Sequence, residues 1–207
     1  MQAPSPSLAA DNLACRRGER LLFRRLSFRL EAGAACHVTG ANGAGKTTLI
    51  RALAGLTTPY AGTVTREGAL ALLDERIGLD PELSLGRALD FWFGIDGAED
   101  RAGVMARLRL EALAEVPVRY LSTGQKKRAA LARVLAQRAP IWLLDEPLSG
   151  LDTASQGLVS ALVREHCEGG GIALIASHQP LDVPGMTSLA IEDFAPTPED
   201  IGAEEEA

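Results

Sequence analysis

Eight consecutive residues, Gly40-Ala41-Asn42-Gly43-Ala44-Gly45-Lys46-Thr47, have the pattern GxxxxGKT. A chain that wraps an anion with its own N–H groups needs positive φ angles and close backbone approach, and Gly40, Gly43 and Gly45 permit both. A helix opening at Lys46 would turn its positive end toward the same anion. In that geometry Lys46 reaches the β- and γ-phosphates of a nucleotide, Thr47 offers its hydroxyl to Mg²⁺, and Thr48 bonds the α-phosphate. The expected ligands are therefore ATP and Mg²⁺.

A second chemical group lies a hundred residues on. Asp145 ends the apolar run Ile141-Trp142-Leu143-Leu144, and Glu146 follows it. A carboxylate at the carboxyl end of a buried parallel strand stands where such sheets bind ligands. Asp145 is expected to order Mg²⁺ through water, and Glu146 is the natural general base for an attacking water. Alone, the pair would be no more than a turn before Pro147; the glycine loop gives it its meaning. His178, just past the next apolar run, can bond the γ-phosphate and hold the attacking water.

These groups need a scaffold, and the pattern supplies one. Leu13 to Leu30 alternates loosely and predicts two or three antiparallel strands. Ala35–Thr39 is a short strand feeding the glycine loop, and helical periodicity runs from Lys46 to Ala54. Further strands are expected at Gly62–Val64 and Ala69–Leu73, then helices at Ser84–Phe93 and Glu99–Ala114. A helix from Gln125 to Gln137, a strand at Ile141–Leu144, a helix near Thr153–Cys167 and strands at Ile172–Ala176 and Ser188–Ile191 complete the chain. Strands alternating with helices predict an α/β core with a mostly parallel sheet. The strand–loop–helix setting also makes the glycine motif credible.

The 207 residues suit one domain with a substantial core. We expect that domain to span 1–195, with a helical part at about 79–120 and an acidic, solvated tail at 196–207. All 21 basic residues lie at or before Arg164, whereas ten of the 27 acidic ones follow it. A net charge of −6 makes non-specific nucleic-acid binding a poor expectation. No apolar run approaches the roughly 18 residues of a membrane span, so membrane association would come through a partner. Cys15, Cys36 and Cys167 are odd in number and widely spaced, a reduced pattern. The polar, proline-containing residues before Cys15 do not form a signal peptide.

Over nearly its whole length the chain resembles the ATPase subunits of ABC transporters, a P-loop NTPase family. The glycine loop matches Walker A, Leu121-Ser122-Thr123-Gly124-Gln125 the signature, Asp145-Glu146 the end of Walker B, Ser149-Gly150-Leu151-Asp152 the D-loop, and His178 the switch histidine, in family order. The resemblance implies that two copies sandwich two ATP molecules, the signature of one closing on the γ-phosphate held by the other. Within the family, the signature followed by Lys126-Lys127-Arg128 and Ala-Ala-Leu-Ala-Arg is similar to the cytochrome c maturation ATPases. So are Ser177-His178-Gln179-Pro180-Leu181 and Gly78-Leu79-Asp80-Pro81-Glu82-Leu83-Ser84. That resemblance implies an integral membrane subunit as partner, a place on the cytoplasmic face of the inner membrane, and a complex that exports haem or releases a haem-loaded chaperone. Direct haem binding is not expected, because Cys36-His37 falls inside a predicted core strand.

Two departures from the family stand out. Between Thr63 and Gly78 the chain is short, and Glu75-Arg76-Ile77-Gly78 replaces a His-Gln-Pro-Gly, so the Q-loop glutamine is absent. Glu75, which can accept from metal-bound water, is the expected substitute; the alternative is a shortened loop that bypasses the site. Near Arg17 the family often sets an aromatic ring against adenine, and here Arg17 would have to stack its guanidinium instead. Two other functions also stay open on the sequence: the ATPase of a different small exporter, and a weakly hydrolysing module that dimerises on ATP.

Overall fold

Period-two alternation in two wholly buried strands divides the interior into two cores. In β6 (Ile141–Asp145) and β7 (Ile172–Ala176) every residue is buried. Ile141, Leu143, Ile172, Leu174 and Ala176 face one apolar cluster, while Trp142, Leu144, Ala173 and Ile175 face the other. A strand apolar on both sides needs cover on both sides, which parallel sheets obtain from their crossovers. The computed structural model describes residues 5–197. The expectation for the tail at 196–207 therefore lies, from residue 198 on, outside the described residues.

The central sheet has five parallel strands in the order β5-β6-β7-β3-β8, with β5 at Leu70–Leu73, β3 at Ala35–Thr39 and β8 at Thr187–Ala190. A smaller antiparallel sheet, β2-β1-β4, is built from β1 (Ser7–Arg17), β2 (Arg20–Glu31) and β4 (Ala61–Glu67). It covers one face together with α1 (Lys46–Leu53), burying Leu8, Leu13, Phe23, Leu26, Leu49 and Leu53. The other face carries α2 (Leu85–Ile95), α4 (Thr123–Ala136) and α5 (Thr153–Glu168). Between β5 and α4 the named elements are all helices or 3₁₀ turns. Among the described residues no helix is long and apolar enough to cross a membrane.

The expected helix at Glu99–Ala114 is broken. α3 covers only Arg101–Arg107, and a single 3₁₀ turn follows at Glu111–Leu113. Leu108 and Leu110 are both fully buried, and residues two apart cannot share one face of an α-helix. The chain resolves this by placing Arg109 at φ 53°. Arg128 of α4 then donates to the freed carbonyls of Leu108 and Arg109 at 2.8 and 2.9 Å. The local pattern read as helical because it contains no glycine or proline at the break; the cause comes from another helix.

At the amino end of the sheet, the His166 ring stacks on Trp142, with centroids 3.9 Å apart and planes 8° from parallel. Its Nε2 lies 3.2 Å from the Ile172 carbonyl oxygen. Burial lowers the His166 pKa from 6.5, and the carbonyls of Ile172 and Pro140 only partly oppose this. The unfolded chain therefore takes up this proton first. The contribution is fully present above pH 6.5 and is lost as pH falls toward the depressed folded value. Thermal denaturation between pH 7.5 and 5.5 should show a smaller loss of Tm for His166→Phe, which keeps a ring on Trp142, than for the wild type. Equal losses would contradict this.

Candidate nucleotide site

The parallel register brings four loops level at the carboxyl edge of the sheet. Leu73 pairs with Leu144, Asp145 with Ala176, and Val38 also with Ala176. The segments just past them, Asp74-Glu75, Asp145-Glu146, Ser177-His178 and Gly40 to Thr47, are thus neighbours. A cleft of about 230 Å³ among them is lined by Arg17, Asn42, Gly45, Lys46, Thr47, Thr48, Glu75 and Glu146, with Leu22 and Gly43. A wider groove of about 690 Å³, around Trp142, His166 and Gly169 to Gly171, is lined by none of the motif residues.

The glycine loop leaves β3 at Thr39. Gly40 has φ 144°, and a Cβ added there would meet Ile191 Cγ2 at 2.7 Å. Gly45, at φ 114°, precedes α1 and would bring a Cβ to 3.0 Å from the Phe23 ring. Neither position tolerates a side chain. Lys46 is 7% exposed, and its ammonium donates to the carbonyls of Gly40 at 2.6 Å and Ala41 at 3.2 Å. The first N–H groups of α1, at Lys46, Thr47 and Thr48, have no intrahelical acceptor and mark an anion site.

Asp145 is 1% exposed, and neither carboxylate oxygen has a hydrogen-bond partner. Burial raises its pKa; the nearby Thr47 hydroxyl lowers it, the Glu146 and Glu75 charges raise it further, and Lys127 lowers it. The Thr47 hydroxyl is close enough to act on the charge without closing a hydrogen bond. Two orphaned buried oxygens are costly unless something else binds them. Hard oxygens from Asp145 and Thr47, with Glu75 beside them, suit a Mg²⁺ ion that keeps several waters and shares phosphate oxygens.

Glu146 follows at φ 47°, a left-handed conformation rare for a side chain of this size. Its N–H donates to the Ala176 carbonyl at 2.8 Å, which fixes the turn. One carboxylate oxygen, Oε2, lies 2.9 Å from His178 Nδ1. The side chain of Glu146 is 23% exposed and that of His178 54%, so the pair faces solvent from the edge of the sheet.

The signature segment stands apart from this cleft, since none of its residues lines it. Ser122 caps α4 in a reciprocal box with Gln125: Ser122 Oγ accepts from Gln125 N–H at 3.2 Å, and Gln125 Oε1 accepts from Ser122 N–H at 2.8 Å. Leu121 is buried, whereas Ser122 and Thr123 are exposed. Gly124 packs on the D-loop so closely that an added Cβ would stand 2.9 Å from the Gly150 carbonyl oxygen. Ser149 and Leu151 donate back to Glu146 and Leu148, and Asp152 caps α5 by accepting from Ser155 N–H at 2.7 Å. Gln156 bonds both the Leu151 carbonyl and the Gln179 side chain, tying the D-loop to the segment after His178.

Cys36 and His37 are buried in β3, and His37 Nε2 lies 2.9 Å from the Ser177 carbonyl oxygen. Two residues at the site escaped the sequence reading. Lys127 sits in a run of three basic residues that looks like a solvated helix face. Burial nevertheless lowers its pKa, against the opposing charges of Asp145, Glu146, Glu75 and Asp74. Glu192 carries no motif at all, and its Oε1 accepts from the Ala41 N–H at 2.5 Å.

Comparison with known proteins shows the family. The ABC transporter family matches residues 23–149. The cytochrome c biogenesis ATP-binding export protein CcmA of Novosphingobium aromaticivorans is 55% identical over 190 residues, covering 91% of this chain and 97% of that protein. The protein of the same name from Zymomonas mobilis is 48% identical over 90% of this chain and 85% of its own length. A dimeric ATP-binding cassette bound to ADP and Pi superposes with a TM-score of 0.73 over 83% of this chain and 88% of that one; at 20% identity it speaks for the fold alone. The chain belongs to the ABC transporter family of ATP-binding proteins and, within it, to the CcmA proteins.

Proposed function

We propose that this protein binds and hydrolyses ATP as one subunit of a membrane complex in c-type cytochrome biogenesis, driving haem export or the release of a haem-loaded chaperone. The observation that carries the catalytic half is the Glu146–His178 pair standing beside the Lys46 loop on one sheet edge. The biosynthetic half rests on kinship with CcmA proteins over nine-tenths of the chain. Absence of a membrane-spanning helix among the described residues, and the exposed Phe91 and Ile95 four residues apart on α2, support docking on a separate membrane subunit. Its place would be the cytoplasmic face of the inner membrane, held through that partner.

The chemistry follows from the side chains. Lys46 and the N–H groups of residues 46–48 bind the phosphates, and Arg17 flanks the cleft where the base would lie. Thr47 and Asp145 would hold Mg²⁺, which supplies charge neutralisation at the phosphates. His178, with its proton on Nδ1, donates to Glu146 Oε2 and leaves Oε1 to accept the proton of the attacking water. The donors of Ser122 and Gly124 lie outside this cleft, so a second copy would supply them across the interface, with Ser149 to Asp152 at the contact. ATP hydrolysis would thus require two chains.

Glu75 is assigned the place of the missing glutamine. It shares the cleft with Thr47 and Glu146, and its carboxylate can accept from metal-bound water. ATPase activity measured against Mg²⁺ concentration should shift to several-fold higher half-saturation in Glu75→Ala and less in Glu75→Gln, which keeps an acceptor oxygen. Unchanged Mg²⁺ dependence in both would mean that the shortened loop bypasses the metal.

The functional reading is tested in cells that lack the chromosomal copy. A plasmid carrying the wild-type chain should restore covalent haem staining of c-type cytochromes, and one carrying Lys46→Ala should not. Normal c-type cytochromes without the protein would remove the biosynthetic assignment and leave the ATPase intact.

A further inference from the structure

The phosphate loop is gripped from outside by a residue that belongs to none of its motifs. β8 runs beside β3, with Thr39 opposite Ala190. One and two steps further on, the register sets Gly40 beside Ile191 and Ala41 beside Glu192, in the 3₁₀ turn Ile191–Phe194. Ile191 is 1% exposed and belongs to the apolar cluster that holds Phe23, Val38 and Leu49. Its methyl group fills the space where Gly40 would carry a Cβ, and the Glu192 carboxyl carbon lies 3.5 Å from that same point. From this fixed turn Glu192 Oε1 accepts from the Ala41 N–H at 2.5 Å.

We infer that Glu192 is a positioning residue that anchors the Gly40–Ala41 peptide of the phosphate loop and thereby sets nucleotide affinity. The loop holds three glycines in eight residues, so keeping it in one conformation costs entropy that some contact must offset. Two contacts do so. Lys46 bonds the carbonyls of Gly40 and Ala41, and Glu192 bonds the N–H of Ala41. A lysine that turns to a phosphate weakens its hold on those carbonyls, whereas the Glu192 bond leaves the phosphate-facing donors untouched. Glu192 therefore remains as the anchor when nucleotide is present. Its hydrogen bond is charge-assisted and short, hence stronger than an amide acceptor would provide at the same geometry. The same negative charge beside an anion site works against phosphate binding, so bond and charge pull in opposite directions and can be separated. Glu192 does not line the cleft of Glu75, Lys46 and Glu146, and its influence should fall on binding rather than on turnover.

The inference rests on reading residues 40–47 as the phosphate cradle, and the experiment keeps the two apart. Full-length wild type, Glu192→Ala, Glu192→Asp, Glu192→Gln and Lys46→Ala are titrated with MANT-ATP and Mg²⁺, and KM and kcat for ATP are measured alongside. Glu192→Ala and Glu192→Asp, the second being too short to reach, should raise Kd and KM about fivefold, the factor corresponding to one ordinary hydrogen bond, with kcat within twofold. Glu192→Gln, which keeps an acceptor at the same reach, should stay within twofold of wild type. An unchanged Kd in Glu192→Ala, with Lys46→Ala losing binding, overturns the role of Glu192. So does a Glu192→Gln as weak as Glu192→Ala, or a loss confined to kcat. Wild-type binding by Lys46→Ala would instead overturn the cradle itself, and the inference with it.

Discussion

Glu146→Gln should lower kcat for ATP hydrolysis by at least about 100-fold, the lower end of what a positioned general base contributes. The amide cannot take the proton of the attacking water, yet it keeps the shape of the turn, which the backbone bond from Glu146 to Ala176 holds independently of the side chain. It can also still accept from His178. Nucleotide affinity should stay within a few-fold of wild type, because Lys46, Thr47 and the helix N–H groups are untouched. Phosphate release and MANT-ATP binding measured on the same preparation separate the two effects. A variant that turns over at the wild-type rate would remove Glu146 from the chemistry and leave His178 without its partner.

Lys46→Ala should fail in the opposite way, at binding. It removes the buried ammonium that the loop holds over its own carbonyls, and no other lysine lines the cleft to replace that charge. A hydrogen bond to a charged group is worth roughly 1.5–3 kcal/mol, so Kd for ATP should rise about ten- to 100-fold. The fold should hold, since burying a lysine contributes little that alanine in a helix cannot replace. Isothermal titration with ATP and Mg²⁺, with thermal denaturation as a folding control, reads both. Unchanged affinity in a folded variant would contradict the assignment of the loop.

Features that depend on neighbouring residues were legible in the sequence. β3, α1, β6 and β7 follow from apolar runs and a glycine loop, and their order dictates a parallel sheet. Asp145 and Lys46 could be paired because strand ends on one edge of such a sheet meet. What the sequence hides is set by contacts between distant segments. Arg109 takes a left-handed conformation because Arg128, on another helix, supplies donors for the carbonyls around it. Glu192 meets Ala41 because β8 happens to flank β3, and no spacing announces that. Lys127 reads as one of three surface cations until α4 packs beside Asp145 and Glu75. Ser122 and Gln125 have the spacing of a capping box, and in the structure they form one. Ser122 caps its own helix and is exposed at its start.

On the proposed function, one chain carries two half-sites which ATP joins into complete ones. Light scattering on Glu146→Gln measures this most directly, since that variant should hold ATP without consuming it. With ATP and Mg²⁺ the scattering mass should move from the 21.9 kDa of one chain to twice that value. ADP should leave it unchanged, and adding Ser122→Arg to the same chain should abolish the shift. A mass that remains that of a single chain at saturating ATP, with binding confirmed in the same sample, would contradict the shared site.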